Sequence, residues 1–187
     1  MTFVLSAAAL WLAAGCGISD DGGTGNASQG TPAAVRYEGE WRTDGHSMGR
    51  GYMMAYGSDF ALSDIPYAAI LRTAMPRRAI ECGSSAIRVV PYDNIGYSQQ
   101  AVYMRLTATQ WMVPAMIDGK LYTAVLCMAN MTDPAASTAS ATYSKVSGVY
   151  NMSFPLKEVR LLDADRQLCE TVPAAMQITF VSVTRIK

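Results

Sequence analysis

Thioether, thiol and imidazole side chains gather in three short stretches: His46-Ser47-Met48, Met53-Met54, and Cys127-Met128 followed by Met131. These are the ligand types that suit Cu(I), so a copper carrier is one chemistry the residues allow. Against it stand the single histidine and the lack of dense Met-x-Met repetition, and Met is a routine filler of core gaps. His46 lies between Gly45 and Gly49 and reads as an exposed turn residue. A Ser/His/Asp triad would have to use that same His46, and no Gly-x-Ser-x-Gly elbow presents a serine. Glu38 and Glu40 stand two apart on one strand face, but nothing near them would tune one as an acid or base. They read as a solvated face. The glycines of 45–51 lead into a strand pattern, not into the helix that a phosphate-cradling loop opens. Asp20-Asp21 and Asp163/Asp165 lack EF-hand spacing. The residues therefore assign no catalytic group, no metal site and no cofactor, and they argue against an enzyme.

Ten tyrosines, all beyond residue 36, are the most notable compositional feature. Tyrosine couples a large contact area to a polar tip and is enriched at interfaces. Tyr52/Tyr56, Tyr92/Tyr97 and Tyr143/Tyr150 are candidates for a surface that recognises protein or glycan, with Tyr52, Tyr56, Tyr92 and Tyr97 the first choice as binding residues. Tyrosines also pad the solvent side of antiparallel sheets, and the residues alone leave both readings open.

The elements that position these groups are strands. In 101–109, Val102, Met104, Leu106 and Ala108 alternate with Tyr103, Arg105, Thr107 and Thr109, the period of a half-buried strand. Asp118-Gly119 separates two apolar runs and signals a hairpin, because a type I′ turn needs positive φ at both central residues. Pro114 in the first arm predicts an edge position or bulge. The second arm, 120–128, is apolar on both faces and reads as central. Further strands are expected at 36–43, 50–56, 85–91, 141–146, 148–154, 157–162, 166–171 and 176–185, with Asp163-Ala164-Asp165 turning one hairpin. Ser63-Asp64-Ile65-Pro66 offers a helix start, and Tyr67, Ile70, Leu71 and Ala74 follow at helical spacing, predicting a short helix at 65–75. The segment 132–140 reads as a loop. The fold class expected is all-β, an antiparallel sandwich or small barrel of about 8–10 strands with one short helix.

Length and charge set the outer bounds. One domain fits 187 residues, and a chain with 50% hydrophobic residues can fill a core. Charged residues are only 16%, below the ~25% usual for soluble proteins, and fifteen basic residues balance fifteen acidic ones. That balance removes the electrostatic footprint of a nucleic-acid binder. Residues 1–15 form an apolar run too short to span a bilayer and ending in small residues, which matches a secretory signal peptide. Leu12-Ala13-Ala14-Gly15-Cys16 resembles the lipobox of bacterial lipoproteins. The resemblance implies that Cys16 is lipidated, that it becomes the mature terminus, and that the protein is anchored in the cell envelope. Gly17 after the cysteine then implies the outer membrane. Residues 16–35 are this cysteine and a Gly- and Ser-rich tether, whose roughly eighteen flexible residues span about 24 Å. The β domain is expected at 36–187.

With Cys16 assigned to lipid, Cys82, Cys127 and Cys169 remain. Cys127 sits in an apolar run and reads as a buried thiol, while Cys82 and Cys169 have more polar surroundings. An oxidising compartment then predicts a Cys82–Cys169 disulfide. Gly39-Glu40-Trp41 resembles the Gly-x-Trp signature of lipocalin-type barrels. It implies a Trp that closes one barrel end, a pocket for an apolar ligand at the other, and a later Arg on the Trp, for which Arg185 is available. From the residues alone, Trp41 is a core aromatic. The functional expectation is a non-catalytic, membrane-anchored binding or scaffolding module with an envelope protein partner and no nucleic acid. The alternative is a carrier of a small apolar ligand or copper.

Overall fold

The computed structural model describes residues 34–97, 101–108, 111–129 and 139–186. The chain divides into two compact units, Met1–Thr31 and Pro32–Lys187, and all described residues lie in the second. The expected signal peptide, Cys16, most of the expected tether and most of the expected 132–140 loop lie outside the described residues. In chain order the elements are β1 (Val35–Thr43), β2 (His46–Tyr56), β3 (Asp59–Ser63), α1 (Tyr67–Ala74), β4 (Ile80–Glu81), β5 (Ile87–Tyr97), β6 (Ala101–Ala108), β7 (Met112–Ile117), β8 (Lys120–Met128), β9 (Ala139–Val146), β10 (Val149–Leu162) and β11 (Leu168–Ile186).

Eight strands, β1-β2-β3-β5-β6-β9-β10-β11, pair antiparallel with their neighbours, and β11 returns to β1. The fold is all-β, a closed eight-stranded up-and-down barrel with extra strands and one short helix. It is not a sandwich.

The extra strands exist because β10 and β11 are too long for the barrel. On one edge of β10, Val149–Ser153 pair with β9, whereas Leu156–Leu162 pair with β8. Pro155, which has no N–H to give, falls where the partner changes, and its carbonyl accepts from the Ala129 N–H at 2.9 Å. Beyond that fork, β8, β7 and β4 continue a second arm of the sheet. The strands expected separately at 148–154 and 157–162 are one strand through Pro155, and those expected at 166–171 and 176–185 are one strand through Pro173. A bulge sets Ala174 and Ala175 against Lys157, with Ala175 at φ 33°.

Two predicted local features hold. Asp118 and Gly119 turn between β7 and β8 at φ 50° and 78°. Pro114 lies where β7 has an open edge, since β4 pairs only with Met116 and Ile117. The helix is shorter than 65–75 and lacks the expected Ser63 or Asp64 cap. Pro66 takes the N-cap position without a side-chain hydrogen bond, and Asp64 bends the chain at φ 57°.

Inside the barrel, Trp41, Met53, Leu62, Val89, Leu106, Met152 and Phe180 are fully buried. Trp41 lies 5.1 Å from Phe180 and 6.4 Å from Phe154, ring centre to ring centre. Phe154 meets Trp111 at 4.8 Å, and Trp111 meets Tyr67 of α1 edge-on at 6.4 Å. Two glycines make this packing possible. A Cβ on Gly39 would collide with the Phe180 ring and stand 2.7 Å from the Val181 carbonyl. A Cβ on Gly51 would collide with the Trp41 indole and stand 2.8 Å from the Ser63 carbonyl, which accepts the Trp41 N–H at 3.2 Å. Arg185 pairs in register with Tyr37, not with Trp41, whose partner on β11 is Phe180.

The expected Cys82–Cys169 disulfide is absent, and Cys82, Cys127 and Cys169 are all free. Cys82 packs half-buried against the core just after β4, whereas Cys169 is exposed on β11. Strands β10, β8 and β7 stand between those two in the sheet. Cys127 is buried as expected.

Two measurements check this account. Gly39→Val should destabilise the domain by about 1–3 kcal/mol in urea unfolding. Gly83→Ala, with open space around it, should change stability by less than about 0.5 kcal/mol. Reductant should leave the melting temperature unchanged, and a drop of several degrees would show that a disulfide forms.

Candidate functional site at the tyrosine end of the barrel

The two ends of the barrel are built differently. At the helix end, β1 turns into β2 and β3 leaves for α1; there Trp41, Trp111, Phe154 and Tyr67 are all fully buried. At the other end lie the β2–β3 and β9–β10 turns and the start of β1. Inward alternation places Tyr37, Phe60, Tyr143 and Tyr150 there, from β1, β3, β9 and β10. Tyr150 stands 4.9 Å from Tyr37 and 5.7 Å from Tyr143, centre to centre, and Phe60 lies 5.4 Å from Tyr143. Met104 and Met152 flank Tyr143 on the neighbouring strands.

The Tyr37 and Tyr150 hydroxyls approach to 3.4 Å, well beyond the ~2.7–2.8 Å of a good O–H···O bond. The Tyr143 hydroxyl has no hydrogen-bond partner among the described residues. Burial, with Tyr150 and Tyr37 beside it, pushes the Tyr143 phenol far above its ordinary value of 10.0, so it stays a neutral O–H donor. Tyr150 itself is pinned through its backbone, whose N–H donates to the buried Ser182 hydroxyl at 2.7 Å. Lys145, two residues beyond Tyr143 on the same face of β9, is exposed and holds its ammonium 4.9 Å from the centre of the Tyr150 ring. The arrangement offers an aromatic, thioether-walled end with donors at its rim.

The tyrosines proposed from sequence do not converge. Tyr52 lies on the outer face of β2 beneath the Arg36 guanidinium, 3.9 Å from its ring centre. Tyr56 is 47% exposed and lines a cleft of about 270 Å³ with Asp59, Ala61, Arg88 and the Phe60 of this cluster. Tyr92 is 52% exposed on β5. Tyr97 pairs in register with Val102 on β6, and its side chain lies outside what is described. Of the three pairs, it is Tyr143/Tyr150 that the fold brings together, joined by Tyr37 and Phe60. The alternation at 35–43 and 59–63 was the available signal for those two, but only barrel closure makes them neighbours.

Nor do the copper-type residues gather. His46 is exposed at the start of β2, Met53 is buried inside while Met54 faces outward, and Met128 lies on β8. Met131 lies outside the described residues. Among the described residues no three His, Cys, Asp or Glu side chains are placed to hold a metal. No described helix is long and apolar enough to cross a membrane. Glu38 and Glu40 are engaged by Arg50 at 2.8 Å and Arg42 at 2.5 Å.

No protein-family model matches the chain, and neither a curated protein nor a solved structure matches it. The functional reading rests on the geometry.

The buried phenols make a pH prediction. Burial raises Tyr143 well above 10 and Tyr67 to about 12. Their folded values exceed the unfolded one, so their contribution is whole below pH 10 and is lost as pH rises above it. Stability should therefore fall as pH rises above 10, with Tyr67 contributing up to about pH 12 and Tyr143 beyond it. Tyr143→Phe should flatten that slope while leaving stability at pH 7 within about 1 kcal/mol. An unchanged slope would contradict the placement.

Proposed function

We propose that the barrel is a non-catalytic carrier of a small apolar ligand, taken in at the tyrosine end. An eight-stranded barrel is just wide enough to be filled by side chains or to hold one small ligand. One observation carries the reading: the helix end is packed with fully buried aromatics, while the tyrosine end is capped by a half-buried Tyr37 and by a Tyr143 hydroxyl with no hydrogen-bond partner among the described residues. Displacing Trp41 or Phe154 would forfeit packing on the scale of about 3–5 kcal/mol each. The ligand therefore replaces the tyrosine plug and leaves the rest of the core standing.

On this reading the carrier is moored to a membrane by lipid on Cys16, with the Gly-rich tether holding the barrel clear of the headgroups, and it exchanges ligand with an envelope partner. The lipobox-like residues 12–16 support the anchor. The Gly-x-Trp resemblance supports the carrier. Copper is set aside, because the candidate ligands are dispersed.

N-phenyl-1-naphthylamine, a neutral apolar fluorophore, should bind the full-length chain at one molecule per barrel. Binding should shift the NMR signals of the Met104 and Met152 methyl groups and leave Met128 unmoved. No saturable binding, or shifts confined to the β7–β8 arm, would contradict the proposal. The anchor is tested separately. Labelled palmitate should be incorporated in bacterial cells and lost in Cys16→Ser, and incorporation that survives the substitution would refute it.

A further inference from the structure

We propose that the outer rim of the tyrosine end docks on an anionic lipid bilayer, so that this end of the barrel faces the membrane. The contact is distinct from an acyl anchor, because the barrel's own side chains make it. It takes from the carrier reading only its purpose, the passage of an apolar ligand between bilayer and barrel.

The exposed large apolar side chains among the described residues fall into two groups. Met116, Leu121 and Leu168 lie on the second arm. The other four, Tyr56, Tyr92, Tyr103 and Val146, stand round the tyrosine end on four different strands. Tyr56 pairs with Asp59 at the β2–β3 turn. Val146 ends β9 at the β9–β10 turn, and Tyr103 on β6 pairs with Ser144 beside it. Tyr92 lies on β5 beyond Val89, where β5 has run past its pairing with β3. Three of the four are tyrosines, which gather where hydrocarbon meets water because the ring prefers lipid and the hydroxyl prefers the headgroups.

Charge selects the kind of bilayer. Arg36 and Lys145 are exposed at this end, and neither makes an ion pair among the described residues. The carboxylate of Asp59 at the β2–β3 turn is already engaged by Arg88, and that of Glu38 by Arg50. The rim therefore carries an excess of positive charge on long side chains, whose stems can lie along apolar surface while their heads reach phosphates. An anionic leaflet attracts such cations. β1 also begins at this end, so the chain that carries Cys16 joins the barrel there.

Nuclear magnetic resonance of the full-length Cys16→Ser chain, which cannot be acylated at that position, reads the contact residue by residue on nanodiscs holding a nitroxide-labelled lipid. With phosphatidylglycerol nanodiscs, the amides of Tyr56, Tyr103 and Val146 should broaden, and those of His46 and Leu121 should not. Arg36→Gln with Lys145→Gln should weaken this binding about thirtyfold, roughly fivefold for each cation. Broadening centred on His46 or Leu121, no broadening at all, or equal contact with phosphatidylcholine nanodiscs would overturn the proposal. So would rim shifts that grow with protein concentration in the absence of lipid, which would assign the face to a second copy of the chain. Failure of the carrier reading shows separately, as a loss of saturable N-phenyl-1-naphthylamine binding.

Discussion

Phe180 on β11 lies across the space that a side chain on Gly39 would occupy, and Trp41, two residues further along β1, rests against its ring. This contact sits on the seam where the last strand meets the first. Closing that seam removes two exposed sheet edges at once, edges that would otherwise invite pairing with other chains. The same indole donates to the Ser63 carbonyl, at the point where β3 leaves the barrel for α1. Its ring leads through Phe154 to Trp111 and so to the helix. Barrel closure, the exit of β3 and the docking of α1 thus share one aromatic stack, and two glycines make room for it.

The long strands explain why the two ends differ. Past Pro155, β10 leaves the barrel and carries β8, β7 and β4 as a second arm. That arm contributes apolar side chains, Trp111 among them, that thicken the core at the helix end. Among the described residues the tyrosine end has no such backing. What lies inside it is an aromatic layer of Tyr37, Phe60, Tyr143 and Tyr150, with Met104 and Met152 beside Tyr143. The proposed carrier role uses that difference between the two ends.

Much of the architecture was legible in the sequence, because strand alternation and turn residues act locally. Asp118-Gly119 and the 101–109 alternation placed β6, β7 and β8, and the apolar face of 67–74 placed the helix. The same Asp-Gly signal at 44–45 was available for the β1–β2 turn, where both residues have positive φ. β3, only five residues between a turn and a proline, escaped notice. The fork was illegible, since Pro155 and Pro173 look like breaks until the long strands on either side are seen to share partners. The disulfide expectation failed for a related reason: polarity around Cys82 and Cys169 carries no information about the three strands between β4 and β11. Of the candidate site, Tyr143 and Tyr150 were visible as a pair, but their meeting with Tyr37 and Phe60 depends on the closed ring of strands.

The central claim is that one end of the barrel opens while the other does not, and site-resolved amide hydrogen exchange addresses it most directly. At pH 7 without ligand, the amides of Tyr143 and Tyr150 should exchange through an opening of lower free energy than those of Trp41 and Phe154, which should exchange only by global unfolding. Equal protection at both ends, or weaker protection at Trp41 and Phe154, would contradict the account.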